Sequence, residues 1–266
     1  EVKLNIDESV TIDGVRLVEV SIPYRVPFQI SGGISYSRKS IIVELHGNGE
    51  VGYGESAPFE APFYSSETIS TVKAMLEEWL IPKVTERNSF SSIEEFYSVI
   101  NNNIRGNRFA KAGVETAYWD LIAKKNNLPL ISLIDKKLDY MGTPSSYLQH
   151  EDQLRCGATL GIPEDEDLQT LSARVKEIVD KQFSRLKIKI RPGWDLEPLK
   201  RVREIIGDDF PLWVDANSAY KYPEDEDALK ALDSFGLLFI EQPLHHDDIL
   251  DHKKLSTEIS TPICFD

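Results

Sequence analysis

Cysteine is almost absent from this sequence: two in 266 residues, Cys156 and Cys264. Both fall inside apolar runs that read as strands, so no disulfide between them is expected, and a reduced, cytoplasmic setting is the default. Long apolar runs are missing as well. None approaches the ~20 residues that a membrane-spanning helix needs, and no signal-peptide pattern opens the sequence. Positive charge is scarce, with 30 Lys and Arg against 44 Asp and Glu and a formal net charge of −14. That balance argues against a nucleic-acid footprint and against docking on anionic membranes. Low-complexity segments and long flexible linkers are not found. What remains, 41% hydrophobic and 28% charged, is ordinary for a soluble globular protein with room for one large or two modest domains.

Two modules are visible along the chain. In the first, alternating apolar and polar side chains predict a half-buried strand over 13–23. Residues 25–37, with Pro27, Phe28, Gly32 and Gly33, read as a loop. The stretches 40–46 and 50–55 flank Gly47-Asn48-Gly49 and predict a hairpin, the strongest short turn signal present. A second loop carries Pro58, Phe59, Pro62, Phe63 and Tyr64, and helices follow over about 66–80, 92–103 and 108–126. Strands followed by helices make residues 1–135 an α+β module. From Gln149 the pattern changes to strands alternating with helix-period segments. A strand over 154–161 precedes a helix over 164–183, the strand 185–190 precedes a helix over 195–206, and further helices are marked by Ala228, Leu229, Leu232 and by Ile249, Leu255.

The second module is organised around Arg185-Leu-Lys-Ile-Lys-Ile190. Side chains on a strand alternate between faces, so Lys187 and Lys189 share one and Leu186, Ile188 and Ile190 the other. Lysines of this kind can simply guard a solvated edge strand. Three acids downstream argue for more. Asp215, Glu241 and Asp266 each close a short apolar run, and the steps from Lys189 through these acids are 26, 26 and 25 residues. One strand-helix unit fills each step, which is the mark of a βα array. In a (β/α)8-type barrel, C-terminal strand ends converge on one site. Two lysines and three carboxylates would then meet.

Carboxylates alone offer oxygen ligands, which select hard cations such as Mg2+ or Mn2+ over zinc. A bound cation of that kind stabilises negative charge on a carboxylate substrate as a Lewis acid. Desolvation or a neighbouring cation lowers the proton affinity of a lysine, which makes a lysine base feasible. For each acid taken singly the plain alternative is a helix N-cap.

The motifs Lys187-Ile188-Lys189, Val214-Asp215-Ala216-Asn217, Ile240-Glu241-Gln242-Pro243 and Thr261-Pro262-Ile263-Cys264-Phe265-Asp266 resemble those of the enolase superfamily, muconate-lactonizing-enzyme subgroup. The runs 186–195, 215–220 and 62–68 resemble its o-succinylbenzoate synthase/N-acylamino acid racemase branch. The resemblance implies an α/β fold: a (β/α)7β TIM-like barrel, of which 149–266 supplies the first five units, preceded by an α+β capping domain over 1–135. It implies Lys189 as the acid/base on the α-carbon of a small-molecule carboxylate, Lys187 as its support, and Asp215, Glu241 and Asp266 as Mg2+ (or Mn2+) ligands. Asn217 and Gln242 become neighbours of the ligands or substrate contacts, with helix capping as their alternative. Phe28 and Tyr64 fall on loops that resemble the substrate-selecting loops of the capping domain. Dehydration to o-succinylbenzoate or N-acylamino acid racemisation is the expected activity, in a homo-oligomer. Muconate cycloisomerisation, dipeptide epimerisation and a non-catalytic metal-binding scaffold are the alternatives. The resemblance also implies a lysine on a sixth barrel strand, beyond Asp266, so the chain is expected to be part of a longer protein. His245-His246 reads as a solvated loop pair and Cys264 as core.

Overall fold

In the computed structural model of the chain, which describes residues 6–30, 33–140 and 156–266, Asn48 and Gly49 adopt φ values of 53° and 82°. Two successive left-handed residues are what a two-residue hairpin needs, and Asn-Gly supplies them at low cost. Gly47 therefore pairs with Glu50 and Ile41 with Ser56 in antiparallel register. The hairpin joins β2 (Gly33–Gly47) to β3 (Glu50–Ser56), and with β1 (Val10–Ile30) and β4 (Ser89–Phe90) these form a four-stranded sheet in the order β3-β2-β1-β4. Residues 25–30 and 33–37, expected as loop, continue β1 and β2. Proline fixes φ in a range that extended backbone tolerates, and it is excluded only where its missing N–H is needed.

The helix Arg108–Lys125 lies directly on β3. A Cβ on Gly54 would come within 1.9 Å of the Gly113 carbonyl oxygen, so only glycine permits this approach. Ile41, Val43 and Leu45 from the sheet meet Val114, Ala117, Tyr118 and Leu121 from the helix in one core. The helix expected to stop near residue 80 runs on from Ile69–Met75 through a π-helical turn, Leu76–Leu80, into Ile81–Arg87. Pro82 falls in the first turn of that last segment, directly after the π-helical turn that interrupts the regular i→i−4 ladder. Pro129 likewise precedes a helix, Leu130–Tyr140, that the sequence reading did not anticipate.

Contacts divide the chain into two compact units, Glu1–Arg25 with Tyr36–His150 and Val26–Ser35 with Glu151–Asp266. The second holds β5 (Gly157–Leu160), β6 (Arg185–Lys189), β7 (Leu212–Asp215), β8 (Ile240–Glu241) and β9 (Ile263–Cys264), parallel and in sequence order. Helices Leu168–Asp180, Leu196–Ile206, Glu226–Ala231 and Ile249–Glu258 fill the intervals. Leu186, Ile188 and Ile190 are buried with Leu171, Val175, Leu199, Val202 and Leu229, each worth about 1.5–3 kcal/mol when fully withdrawn from water. That burial sets the orientation of β6 and turns Lys187 and Lys189 to the opposite face. The five strands form an open sheet. Arg203 fastens the helix Leu196–Ile206 to the loops around it, donating to the carbonyls of Gly207, Phe210, Phe235 and Gly236. Cys156 is exposed just ahead of β5, and Cys264, expected in the core, is only half-buried in β9. No helix among the described residues is long and apolar enough to cross a membrane.

Candidate active site

Parallel register sets Lys187 beside Trp213, Lys189 beside Asp215, and Asp215 beside Glu241. The amines therefore reach acids on the next strands. Lys187 Nζ lies 2.7 Å from Asp215 Oδ2 and 2.6 Å from Glu241 Oε1. Lys189 Nζ lies 2.5 Å from the same Asp215 oxygen and 2.6 Å from Asn217 Oδ1. Asp215 is only 1% exposed, and its other oxygen accepts the Asn217 backbone N–H at 2.8 Å. Lysines guarding an exposed edge would not be bonded in this way. Nor is Asp215 a helix cap. Asp167, Asp195 and Asp248 take that part, accepting backbone N–H groups at helix starts, whereas Asp215 ends a strand.

Burial favours the neutral form of Lys187, but its hydrogen bonds to Asp215 and Glu241 outweigh burial and hold its pKa above the ordinary lysine value. Desolvation thus acts on Lys187 in the direction expected, and the two carboxylates that face the amine prevail over it. Burial likewise pushes the Asp215 carboxyl upward, and the bonds from Lys187 and Lys189 overcome that and hold it below its usual range.

Asp215, Glu241 and Asp266 each offer an oxygen, and the three atoms lie within 4.8 Å of one another. Around a hard cation bonded at about 2.1 Å, octahedral oxygens sit about 3–4.2 Å apart. An all-oxygen set this close fits a divalent cation after small carboxylate rotations. Gln242, 4% exposed, ties this end together without capping a helix. Its Nε2 donates to the Leu244 carbonyl, and its Oε1 accepts the Asp266 backbone N–H at 3.1 Å.

The loops behind these acids are strained. Asn217, Ser218 and Gln242 have φ of 44°, 64° and 40°, a region that residues other than glycine seldom occupy. Cross-bonds hold them: Ser218 N–H donates to the Gln242 carbonyl, Tyr220 N–H to the Pro243 carbonyl, and the Tyr220 hydroxyl to Asp195 Oδ2 at 3.0 Å.

One participant went unremarked in the sequence. Trp213 Nε1 donates to Glu241 Oε2 at 3.1 Å. Its position two residues before Asp215, on the same face of β7, was the available signal. Phe28 lies in β1, and its side chain is outside the described residues. Tyr64 belongs to the first unit, where it is exposed and packs edge-on against Phe59. His245 and His246 are exposed after β8, in line with a solvated loop.

Residues 12–135 match the family model of the mandelate racemase/muconate lactonizing enzyme N-terminal domain, and residues 170–266 match that of the enolase C-terminal domain-like fold. The chain is 36% identical over 263 residues to an o-succinylbenzoate synthase of Geobacillus kaustophilus, covering 97% of this chain and 64% of that protein. It is 37% identical over 261 residues to an N-succinylamino acid racemase of Thermus thermophilus, covering 96% and 64%. A solved enolase-superfamily structure from Listeria innocua superposes with a TM-score of 0.85 at 32% identity, over 97% of this chain and 64% of that one. The chain thus spans 64% of the length of each. The superposition bears out the expected fold class, an α+β capping domain followed by strands of a TIM-like barrel. Match and superposition agree on one conclusion: the chain belongs to the mandelate racemase/muconate lactonizing enzyme family of the enolase superfamily.

Proposed function

We propose that this chain carries the proton-abstracting centre of a divalent-metal-dependent enzyme acting on a small carboxylate, with dehydration to o-succinylbenzoate as its reaction. One observation carries the reading: two lysines bonded directly to a pair of acids that, with Asp266, bring three carboxylate oxygens within 4.8 Å. Asp215, Glu241 and Asp266 hold Mg2+, or Mn2+ in its place. When bound, the cation supplies Lewis-acid stabilisation of the charge left on the substrate carboxylate.

The remaining roles belong to side chains. Lys189, in its free-amine form, takes the α-proton, the β C–O bond breaks, and the resulting ammonium returns the proton to the departing hydroxide so that water leaves. Lys187, held protonated by its neighbours, adds a fixed positive charge. Asn217, 2.6 Å from Lys189 Nζ, aims that amine. Gln242 sets the backbone of Asp266, and Phe28 and Tyr64 select the substrate side chain. A homo-oligomer in the cytoplasm is the setting of this reading. The racemase relative supports a second activity, proton exchange at Cα of N-acylamino acids.

The assay follows o-succinylbenzoate formation and deuterium uptake at Cα of N-succinylamino acids, with and without Mg2+. Lys189→Ala should slow both by about 10²–10⁴-fold while divalent-cation binding persists. Product formed equally well without a divalent cation, or undiminished in Lys189→Ala, refutes the proposal. Cation binding with neither activity marks a non-catalytic scaffold, and activity on muconates or dipeptides instead would reassign the substrate.

A further inference from the structure

We infer that Trp213 is a positioning residue for the metal centre: its indole N–H holds the Glu241 carboxylate in the orientation that a divalent cation requires. The inference rests on the metal reading above and adds a residue to it. Glu241 has one more rotatable bond than the aspartates beside it, and its terminal torsion is broad. Such a carboxylate needs an external restraint to present an oxygen in a fixed direction.

Two donors reach it. Lys187 bonds Oε1 at 2.6 Å and also Asp215 at 2.7 Å, so this ammonium is shared, and it sits on a flexible four-carbon stem. Trp213 bonds Oε2 at 3.1 Å. Its indole is a flat ring that donates only, and it is packed against Phe239 with centroids 5.4 Å apart. The strand carries both ends of this device. Trp213 and Asp215 lie two residues apart on one face of β7, and Asp215 pairs in register with Glu241 on β8.

Charge separates the two donors. The Lys187 ammonium would be repelled by a divalent cation held among the carboxylates, and its bond to Glu241 would weaken. The neutral indole meets no such repulsion, and a carboxylate has about four lone-pair directions, so one N–H bond leaves room for a cation. Of the two restraints, the indole bond is the one that would survive loading. Contacts of this kind to a metal ligand are typically worth about 10–100-fold in metal affinity.

Trp213→Phe keeps an aromatic ring against Phe239 and removes the N–H. A second variant, with β-(3-benzothienyl)alanine at position 213, keeps the bicyclic ring and removes only the donor. Titration with Mg2+ by calorimetry and with Mn2+ by electron paramagnetic resonance should give a Kd raised about tenfold or more in both variants, with circular dichroism unchanged. The chain has four tryptophans, hence four indole N–H cross-peaks in a 1H–15N spectrum. Mg2+ should move the Trp213 peak, assigned through its proximity to the Phe239 ring, and Glu241→Gln should abolish that movement. The Mg2+-induced movement is read on the unmodified protein, so that reading stands even if the position-213 variants misfold. Unchanged Kd in the donor-less variants, or a Trp213 peak unmoved while the cation binds, overturns the inference alone. Undiminished cation binding in both Glu241→Gln and Asp215→Asn overturns the metal reading, and the inference with it.

Discussion

Replacing Asp215 by Asn preserves the side-chain shape and removes the charge that lets two ammonium groups coexist. Their nitrogens lie 2.7 and 2.5 Å from one oxygen and so cannot be more than about 5 Å apart. Two unit charges at that separation repel by about 3 kcal/mol at an effective permittivity of about 20. In the native chain the carboxylate offsets this. Asn offers an acceptor without charge, and at 1% exposure little water reaches the site to screen the pair. Lys187 keeps Glu241 and Lys189 keeps Asn217, which confines the loss to about 3 kcal/mol, the lower end for breaking a buried pair. Hydrogen exchange reads it locally. The Ile190 amide donates to the Asp215 carbonyl and should exchange roughly a hundredfold faster in Asp215→Asn if it opens with the surrounding sheet. Adding Lys189→Met removes the repulsion, so the double variant should recover more than about 1 kcal/mol of coupling. Native-like exchange in the single variant, or no recovery in the double one, would refute the account of the site as a charge-balanced cluster.

The same pairing predicts a pH profile. Asp215 titrates below its ordinary value of 3.8, so its contribution is complete above that pH and disappears as pH falls through the lower folded value. Lys187 titrates above its ordinary 10.5, so its contribution is complete below that pH and is lost as pH rises through the higher folded value. Thermal midpoints between these limits should form a plateau, and Asp215→Asn should flatten the acid limb. An unchanged acid limb contradicts the assignment. Arg203→Met deprives four carbonyls of their donor and should cost at least about 3 kcal/mol in urea unfolding, against no change if the loops are held otherwise. Gly54→Ala drives a Cβ to 1.9 Å from backbone oxygen and should cost about 1–3 kcal/mol or more. Gly14→Ala, with nothing within 4 Å, is the control that should stay near neutral.

Much of this was legible in local pattern. Asn-Gly chose the hairpin turn because few other residues tolerate two left-handed conformations in a row. The period-two alternation of Leu186, Ile188 and Ile190 against Lys187 and Lys189 assigned each residue its face of β6. The even spacing of Asp215, Glu241 and Asp266 marked successive strand ends. One proline was read less well. Pro27 marked a loop in the sequence reading, yet it lies within β1, because what a missing N–H costs depends on whether a neighbour needs it.

The amino-acid sequence by itself determined which residue types could gather, at the strand ends of a βα array, and the cation class they would suit. Tertiary structure alone decided who touches whom. Lys187 meets Glu241 across 54 positions of chain and Lys189 meets Asp215 across 26, contacts created by strand register. The upward pull on Lys187, the bond from Asn217 and the indole grip on Glu241 follow from that register, because a proton's affinity is set by every charge within a few ångströms and not by its neighbours in sequence.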